Sequence, residues 1–275
     1  MATVRLGPGE TYDANEFLLD AVENGSIWGV KTALNSGADI DFERPDGELT
    51  RRGTALFIAC ARGHEDIVRL LLRKGASVVK RTLKSFAPLH AASSRGWTEV
   101  VELLVNHGAT VDIRDGFQNT PLMTACVNKR VHTVRRLLEF GARPDLTDGH
   151  DAQRMGIADE NHVCRGFCDC HESMKMIQEA RKTRLLRCCN PKCGKPGYKS
   201  TGALKLCARC KMTRYCSRDC QRQHWSIGHK KCCGHDACSE DQGIESWWKL
   251  MTLMAQHVRD HGHQPEFWTL LKLFG

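Results

Sequence analysis

The sequence predicts an all-α solenoid of stacked helix pairs with β-turn fingers, followed by a small zinc-stabilised module and a helical tail. Three observations predict this order. A 33-residue period runs through the N-terminal half, four pairs of cysteine and histidine residues lie in the C-terminal half, and the net charge of +8 comes entirely from residues 151–275. The 275 residues are 41% hydrophobic and 26% charged, which is typical of a globular protein and argues against a disordered or fibrous chain.

The period is defined by equally spaced starts and equally spaced glycines. The copies open at Thr54, Ala87 and Thr120 and close at Gly75, Gly108 and Gly141. Within a copy, two short apolar segments at helical spacing flank a break such as Gly63. Helix pairs this short cannot bury their apolar faces alone, so the copies must stack to share a core. A degenerate copy upstream ends at Gly37.

The segments TALFIACARGHEDIVRLLLRKGAS and APLHAASSRGWTEVVELLVNHGAT resemble the ankyrin repeat family. The resemblance covers residues 10–148 as four copies and implies a concave surface for a protein partner, built from fingers at 41–50, 80–85 and 112–119. In the alternative interpretation, the repeats bind no partner and serve only to space and orient the next domain. Trp28 and Trp97 are expected to pack rather than to bind. Residues 149–187 are a degenerate fifth repeat or a capping linker, with 171–184 as its outer helix.

The cysteines indicate metal rather than disulfides. No secretory signal opens the sequence and no apolar run is long enough for a membrane span, so we expect an intracellular protein, cytoplasmic or nuclear. Cysteines stay reduced there, and ten of the 15 fall between residues 188 and 238. Few apolar side chains accompany them in residues 181–233, so metal binding is needed to stabilise this segment.

Eight residues with metal-ligand spacing form four pairs. They are Cys189 and Cys193, Cys207 and Cys210, Cys216 and Cys220, and His229 and Cys233. A C-x2-C turn brings both sulfurs to one point, and residues four apart on a helix share a face. Four ligands complete one tetrahedral Zn²⁺, so the sequence predicts two structural zinc ions.

The order of the ligands, with CARCKMTRYCSRDCQRQHW and HKKCC, is similar to the MYND-type zinc finger over residues 189–233. The resemblance implies interleaved pairs, with the first and third pairs on one ion and the second and fourth on the other. Spacing alone leaves consecutive pairing open. Cys188 and Cys232 adjoin chosen ligands, and Cys189 and Cys233 are preferred because they keep a four-residue step. His224 is expected at the surface.

Two further segments each have more than one interpretation. The cluster His162, Cys164, Cys168, Cys170 and His171 has an unfamiliar spacing, and an irregular insertion is preferred over a third metal site. Residues 243–275 are expected to form two amphipathic helices that pack on the rest of the chain or dock a partner.

The MYND resemblance implies that the module binds short proline-rich peptides. The implied contacts are Gln221 and Trp225, with the strand near Tyr215 as the edge along which the peptide lies; Trp225 alternatively serves only the small core. Residues 181–231 also carry 15 Lys and Arg against one acid, Asp219, so anionic partners remain an alternative.

Together these features predict a non-catalytic zinc-binding adaptor, in which the repeats bind one protein and the MYND module binds another. No P-loop, G-x-G-x-x-G motif or nucleophile elbow is present in the sequence, so no enzyme is expected. The alternatives are a nucleic-acid or chromatin-associated factor that uses the basic module, and a ubiquitin-ligase-like cross-braced module. Neither the partners nor the oligomeric state follows from the sequence.

Overall fold

A computed structural model describes residues 2–7, 10–44, 53–82, 85–116, 119–144, 146, 171–183, 185–198, 202–210 and 212–233. The predicted tail at 243–275, the inner helix expected before residue 171, and residues 162–170 of the histidine and cysteine cluster lie outside these ranges. None of the helices in the described part of the chain has the length and apolar content to span a bilayer.

Four helix pairs follow one another as the 33-residue period predicts. The inner helices are α1 (Ala14–Glu23), α3 (Ala55–Arg62), α5 (Pro88–Arg95) and α7 (Pro121–Val127). The outer helices are α2 (Ile27–Asn35), α4 (Glu65–Arg73), α6 (Thr98–Asn106) and α8 (Val131–Glu139). Each inner helix packs on the next inner helix and each outer helix on the next outer helix, which is the stacking of a solenoid.

The helix ends follow from local sequence signals. The Thr54 and Thr120 side chains accept hydrogen bonds from the backbone N–H groups three residues on, which caps α3 and α7. Gly63 ends α3 at φ 78°, a conformation that glycine adopts without strain. In the fourth repeat Lys129 holds a similar φ of 57°, so the turn keeps its shape without the glycine.

A periodic contact joins successive repeats. Trp97 lies over Gly63 of the preceding repeat, and its indole N–H donates to the carbonyl of Ala61 at 3.3 Å. The residues 33 positions before and after it, His64 and Arg130, lie over Gly25 and Gly96 in the same way. Trp97 therefore packs as expected, although 41% of its surface remains exposed. Trp28 does not, because it is 64% exposed.

A β-hairpin that the sequence analysis did not predict precedes the first repeat. Strands β1 (Thr3–Gly7) and β2 (Glu10–Asp13) pair antiparallel. Val4 is buried, and both strands contact α1. Asp13 caps α1 through its carboxylate, so the hairpin leads directly into the stack.

The C-terminal part is a helix followed by small hairpins. Helix α9 (His171–Thr183) covers the segment where a helix was expected and packs on α8. The remaining elements are β3 (Leu185–Arg187) paired with β4 (Pro196–Tyr198), β5 (Lys205–Leu206) paired with β6 (Arg214–Tyr215), α10 (Arg218–His224), a π-helical turn Trp225–His229 and α11 (Lys230–Cys232).

Two buried clusters form the interior. The larger runs through all four repeats and also includes Ile177 of α9 and Cys232 of α11. The smaller consists of four cysteines and Tyr215. Cys232 therefore extends the core of the repeats although it lies far from them in the sequence.

Candidate functional site

The first cluster of candidate ligands joins the loop between β3 and β4 to the start of α10. The thiols of Cys188, Cys193, Cys216 and Cys220 lie within 4.8 Å of one another. Ser217 positions the last two, because its side chain accepts a hydrogen bond from the Cys220 N–H at 3.1 Å and starts the helix. The Cys216 sulfur is 3.5 Å from that of Cys220 and 3.7 Å from that of Cys193.

The second cluster joins the β5–β6 hairpin to the C-terminal helical turn. It consists of Cys207, Cys210, His229 and Cys233, whose ligand atoms also lie within 4.8 Å of one another. The Cys207 and Cys233 sulfurs are 3.7 Å apart, and His229 Nε2 lies 3.6 Å from the Cys210 sulfur. The two clusters take alternate pairs along the chain, which is the interleaved order that the MYND resemblance implies.

The structure places Cys188, and not the predicted Cys189, in the first cluster. The Cys189 N–H donates to the carbonyl of Arg214 at 2.7 Å, and the Cys189 sulfur accepts from the Arg214 N–H at 3.3 Å. Adjacent residues of an extended segment point to opposite sides, so only one of the two cysteines can face the cluster. Cys189 was preferred because it keeps a four-residue step to Cys193, but the segment after Cys189 is a turn held by the Asn190 side chain.

The donors are chemically suited to a divalent cation. Burial raises the pKa of the Cys188 thiol, and the adjacent Cys193 and Cys216 raise it further. Burial likewise raises the pKa of Cys233 to about 12. Burial also opposes ionisation of Cys220, but hydrogen bonds from Ser217 and Cys216 outweigh it and lower the pKa of that thiol to about 7. A dication bound in each cluster would stabilise the thiolates of that cluster, because its positive charge outweighs their mutual repulsion.

Behind the second cluster lies a small aromatic network that the sequence analysis missed. His224, expected at the surface, is buried and stacks on His229 with ring centroids 5.1 Å apart. The Tyr215 hydroxyl lies 2.9 Å from His224 Nδ1. Burial lowers the pKa of His224 to about 3, so its ring is neutral at physiological pH. The network therefore orients the His229 ring without adding charge beside it.

The predicted peptide contacts are separated by this network. Tyr215 is only 2% exposed, so its side chain belongs to the interior, whereas Gln221 and Trp225 are partly exposed. Strand β6 has partners on both sides, β5 on one and Cys189 on the other. The expected edge at 213–215 is therefore already used. Strand β5 is exposed at both residues, with Leu206 at 48%.

The fold and the site define a helix-pair repeat protein joined to a cysteine and histidine module with two four-donor clusters. Family models agree with this description. Ankyrin repeats match residues 18–115 and 78–148, and the MYND finger matches residues 188–233. The chain thus carries ankyrin repeats followed by a MYND zinc finger, called the MYND finger below and defined as residues 188–233.

Several curated proteins share a short stretch with this chain. M-phase phosphoprotein 8 of Mus musculus is 39% identical over 79 residues, which is 28% of this chain and 9% of that protein. The Homo sapiens protein of the same name is 40% identical over 76 residues, 27% of this chain and 8% of that protein. The Ankyrin repeat and KH domain-containing protein mask of Drosophila melanogaster is 36% identical over 67 residues, 24% of this chain and 2% of that protein. The match therefore spans less than a tenth of each relative.

Proposed function

We propose that this chain is a non-catalytic adaptor whose MYND finger holds two structural zinc ions, one in each cluster. The observation that carries the proposal is the pair of closed donor sets, each with four cysteine or histidine ligand atoms within 4.8 Å. Four protein ligands complete a tetrahedral Zn²⁺ and leave no position for a substrate or a reactive water. Zinc bound in this way cross-links the hairpins to the helix and takes no part in catalysis.

Neighbouring cysteines provide a matched test of the ligand assignment. Cys188→Ser and Cys233→Ser each remove a proposed ligand, so the zinc content of the purified full chain should fall below two per chain. Cys189→Ser and Cys232→Ser alter the adjacent buried thiols and should leave two zinc ions bound. Metal analysis by mass spectrometry reads out all four variants. Loss of zinc from Cys189→Ser with retention in Cys188→Ser would reverse the assignment.

The MYND finger presents a surface suited to an extended peptide. Trp225 is partly exposed, its ring packs edge-on against His229 at 5.9 Å, and Gln221 lies one helical turn before it. An extended peptide gains main-chain hydrogen bonds from an exposed strand edge, and prolines pack on an aromatic ring at low entropic cost. We place the peptide against β5, Gln221 and Trp225; Tyr215 supports this surface from inside.

Peptide binding is tested by titrating the zinc-loaded full chain with a proline-rich peptide. Trp225→Ala should weaken binding by about tenfold or more, the loss typical of a buried aromatic anchor. Trp97→Ala, which removes a partly exposed tryptophan from the repeats, serves as the control and should bind as the wild type does. If Trp225→Ala binds equally well, or loses zinc together with the peptide, Trp225 is a core residue and the peptide site is elsewhere.

The ankyrin repeats supply the second binding surface of the proposed adaptor. In the described residues a polar contact joins the turns of successive repeats, because the Asp112 carboxylate accepts a hydrogen bond from the Arg143 backbone N–H at 2.9 Å. We propose that this surface binds a separate protein, and an intracellular location remains our expectation. Binding by the repeats is tested by proximity labelling of the full chain with and without residues 18–148.

One observation favours a second candidate, a nucleic-acid or chromatin-associated factor. Lys and Arg outnumber acids by 15 to one in residues 181–231, and the described members such as Arg218, Arg222 and Lys231 are exposed. Such charge attracts phosphates, and the affinity then falls steeply with salt. Binding of single-stranded nucleic acid that falls steeply over a threefold rise in salt and requires Arg222 would favour this candidate over the peptide adaptor.

A further inference from the structure

The MYND finger contacts the third repeat backbone to backbone. A Cβ atom on Gly108, at the end of α6, would lie 2.5 Å from the Cα of Gly228 and 2.8 Å from the backbone N of His229. In the opposite direction, a Cβ atom on Gly228 would overlap the carbonyl oxygen of His107. Such contacts are closer than any real Cβ contact, so the interface requires glycine on both sides.

The fourth repeat makes an equivalent contact one repeat further on. A Cβ atom on Gly141, which stands 33 residues after Gly108, would lie 3.0 Å from the carbonyl oxygen of Arg187. Gly75 stands 33 residues before Gly108 and has the same φ of 92°, but among the described residues nothing lies within 4 Å of its Cβ position. The finger and Arg187, which immediately precedes it, therefore dock on two of the four equivalent repeat turns, those at Gly37, Gly75, Gly108 and Gly141.

The docking contacts lie at a candidate zinc ligand or one residue before it. Arg187 precedes Cys188 of the first cluster, and Gly228 precedes His229 of the second. A third contact follows the same rule. Cys232 precedes Cys233, is fully buried, and donates its thiol hydrogen to the carbonyl of Gly108 at 3.2 Å.

The last of these contacts shows how the ligands shape the docking surface. Residues 229 and 233 are four apart and are joined by a hydrogen bond from the Cys233 N–H to the His229 carbonyl at 2.8 Å. Residues four apart share a face of a helical turn, and so do the preceding pair, Gly228 and Cys232. A metal ion that holds His229 and Cys233 in place therefore also holds Gly228 and Cys232 in place beside them.

We infer that the turns at Gly108 and Gly141 are a docking surface for the MYND finger, and that zinc binding holds the finger in the shape that fits it. This inference rests on the proposed zinc binding. The finger is then a metal-dependent cover of the third and fourth repeats, and the two binding surfaces of the adaptor have a fixed relative orientation. Loss of zinc uncovers these two turns and leaves the first two repeats unaffected.

Hydrogen exchange of the full chain provides matched reporters. The N–H groups of Ala76, Ala109 and Ala142 each donate to the carbonyl of the outer helix five residues back, at the three equivalent turns. Chelation of zinc should accelerate exchange at Ala109 and Ala142 by about tenfold or more and leave Ala76 within about twofold. Zinc content is measured on the same samples. If zinc leaves and all three amides respond equally, or none responds, the metal-dependent docking is overturned.

Glycine variants test the contact without touching a ligand. Gly108→Ala and Gly75→Ala introduce the same backbone strain, because both residues have φ of 92°, but only Gly108 faces the finger. Both should accelerate exchange in their own repeat. Only Gly108→Ala should also accelerate exchange at the Cys233 N–H, by about tenfold. Equal behaviour of the finger in the two variants contradicts the docking.

Gly228→Ala tests the same contact from the finger. Alanine at this position places its Cβ atom on the carbonyl oxygen of His107, so the substitution acts on the same contact from the opposite side. The expected result is faster exchange at Ala109 with two zinc ions still bound. Normal exchange at Ala109 in a zinc-loaded Gly228→Ala chain overturns the inference. A chain that never binds zinc contradicts the proposed function instead, and the two failures are distinguished by the metal analysis.

Discussion

In the ankyrin repeats, leucines such as Leu18, Leu71 and Leu104 are buried at successive layers, whereas the small core of the MYND finger consists of four cysteines and Tyr215. The repeats gain stability from apolar area, which grows with each copy added. The finger has too little apolar area to fold by this means and depends on cross-links through metal. Two regions in contact thus have independent sources of stability, and each can be perturbed separately.

Metal removal should produce the largest difference between the regions. Structural zinc contributes roughly 10 to 16 kcal/mol of apparent binding free energy, comparable to the stability of a whole domain. A strong chelator should therefore abolish protection of the Cys189 and Cys207 amides, which bond to Arg214 and Thr213. Protection of the Ile58 amide in α3 should persist. Protected finger amides after verified zinc loss would mean that the finger folds on apolar contacts.

A cavity in the repeats should have the converse effect. Leu71 is fully buried in α4, so Leu71→Ala should lower the free energy of unfolding of the repeats by about 2 to 5 kcal/mol. Zinc content should stay at two per chain. Leu206→Ala, at a 48% exposed position of the finger, is the control and should change stability by less than about 0.5 kcal/mol. Zinc loss in Leu71→Ala would show that the regions fold as one.

Acid should weaken the repeats through His90. The His90 Nδ1 accepts the Ala87 N–H at 3.3 Å, so Nε2 carries the proton and donates to the Asn119 carbonyl at 3.1 Å. Burial lowers the pKa of His90 to about 4, below the unfolded value of 6.5. The unfolded chain therefore binds the extra proton first as the pH falls, and stability present above pH 6.5 is lost below it.

Denaturant titrations at several pH values measure this loss. Between about pH 6.5 and pH 5 the His90 contribution amounts to about 2 kcal/mol, since each pH unit in this window is worth about 1.4 kcal/mol. His90→Gln should remove that part of the pH dependence. Acid also displaces zinc in both proteins. The His90 contribution is therefore the difference between the pH dependence of stability in the wild type and in the variant. An unchanged slope in His90→Gln would mean that His90 does not titrate in this window.

Loss of a helix cap should have the smallest effect. The Thr54 hydroxyl accepts the Phe57 N–H at 3.3 Å at the start of α3, and Thr54→Ala should cost the repeats about 1 kcal/mol. Thr54→Ser keeps the oxygen and should recover most of the loss. Thermal unfolding at constant zinc measures both. A Thr54→Ser chain as unstable as Thr54→Ala would attribute the effect to packing of the methyl group.

Much of the repeat fold followed from the sequence because its signals recur at a fixed period. The helix pairs and the break at Gly63 were predicted from spacing, and they are confirmed. The N-terminal hairpin was not predicted, because it occurs once and has no periodic partner. Trp28 was placed wrongly, since an aromatic residue in a repeat gives no indication of which side of its helix it occupies.

The members of the metal clusters were predictable from the sequence, except for the choice between two adjacent cysteines. Seven of the eight side chains predicted from residue type and spacing lie in the two clusters. The choice between Cys188 and Cys189 depends on which residue of an extended segment faces inward, and that is set by the Arg214 backbone from a distant strand. The burial of His224 depends in the same way on Tyr215. Long-range pairing of this kind leaves no local pattern.

The periodic seating of Trp97 on Gly63 has a consequence for how such a chain changes by tandem duplication. The second and third repeats each carry a bulky residue that sits on the repeat before and a glycine that receives the repeat after. A duplicated unit is thus compatible with both neighbours at once. Duplication upstream of the third repeat would lengthen the stack and leave Gly108 and Gly141 beside the finger. Duplication between them would separate the two docking turns, so lineages should gain copies near the N-terminus.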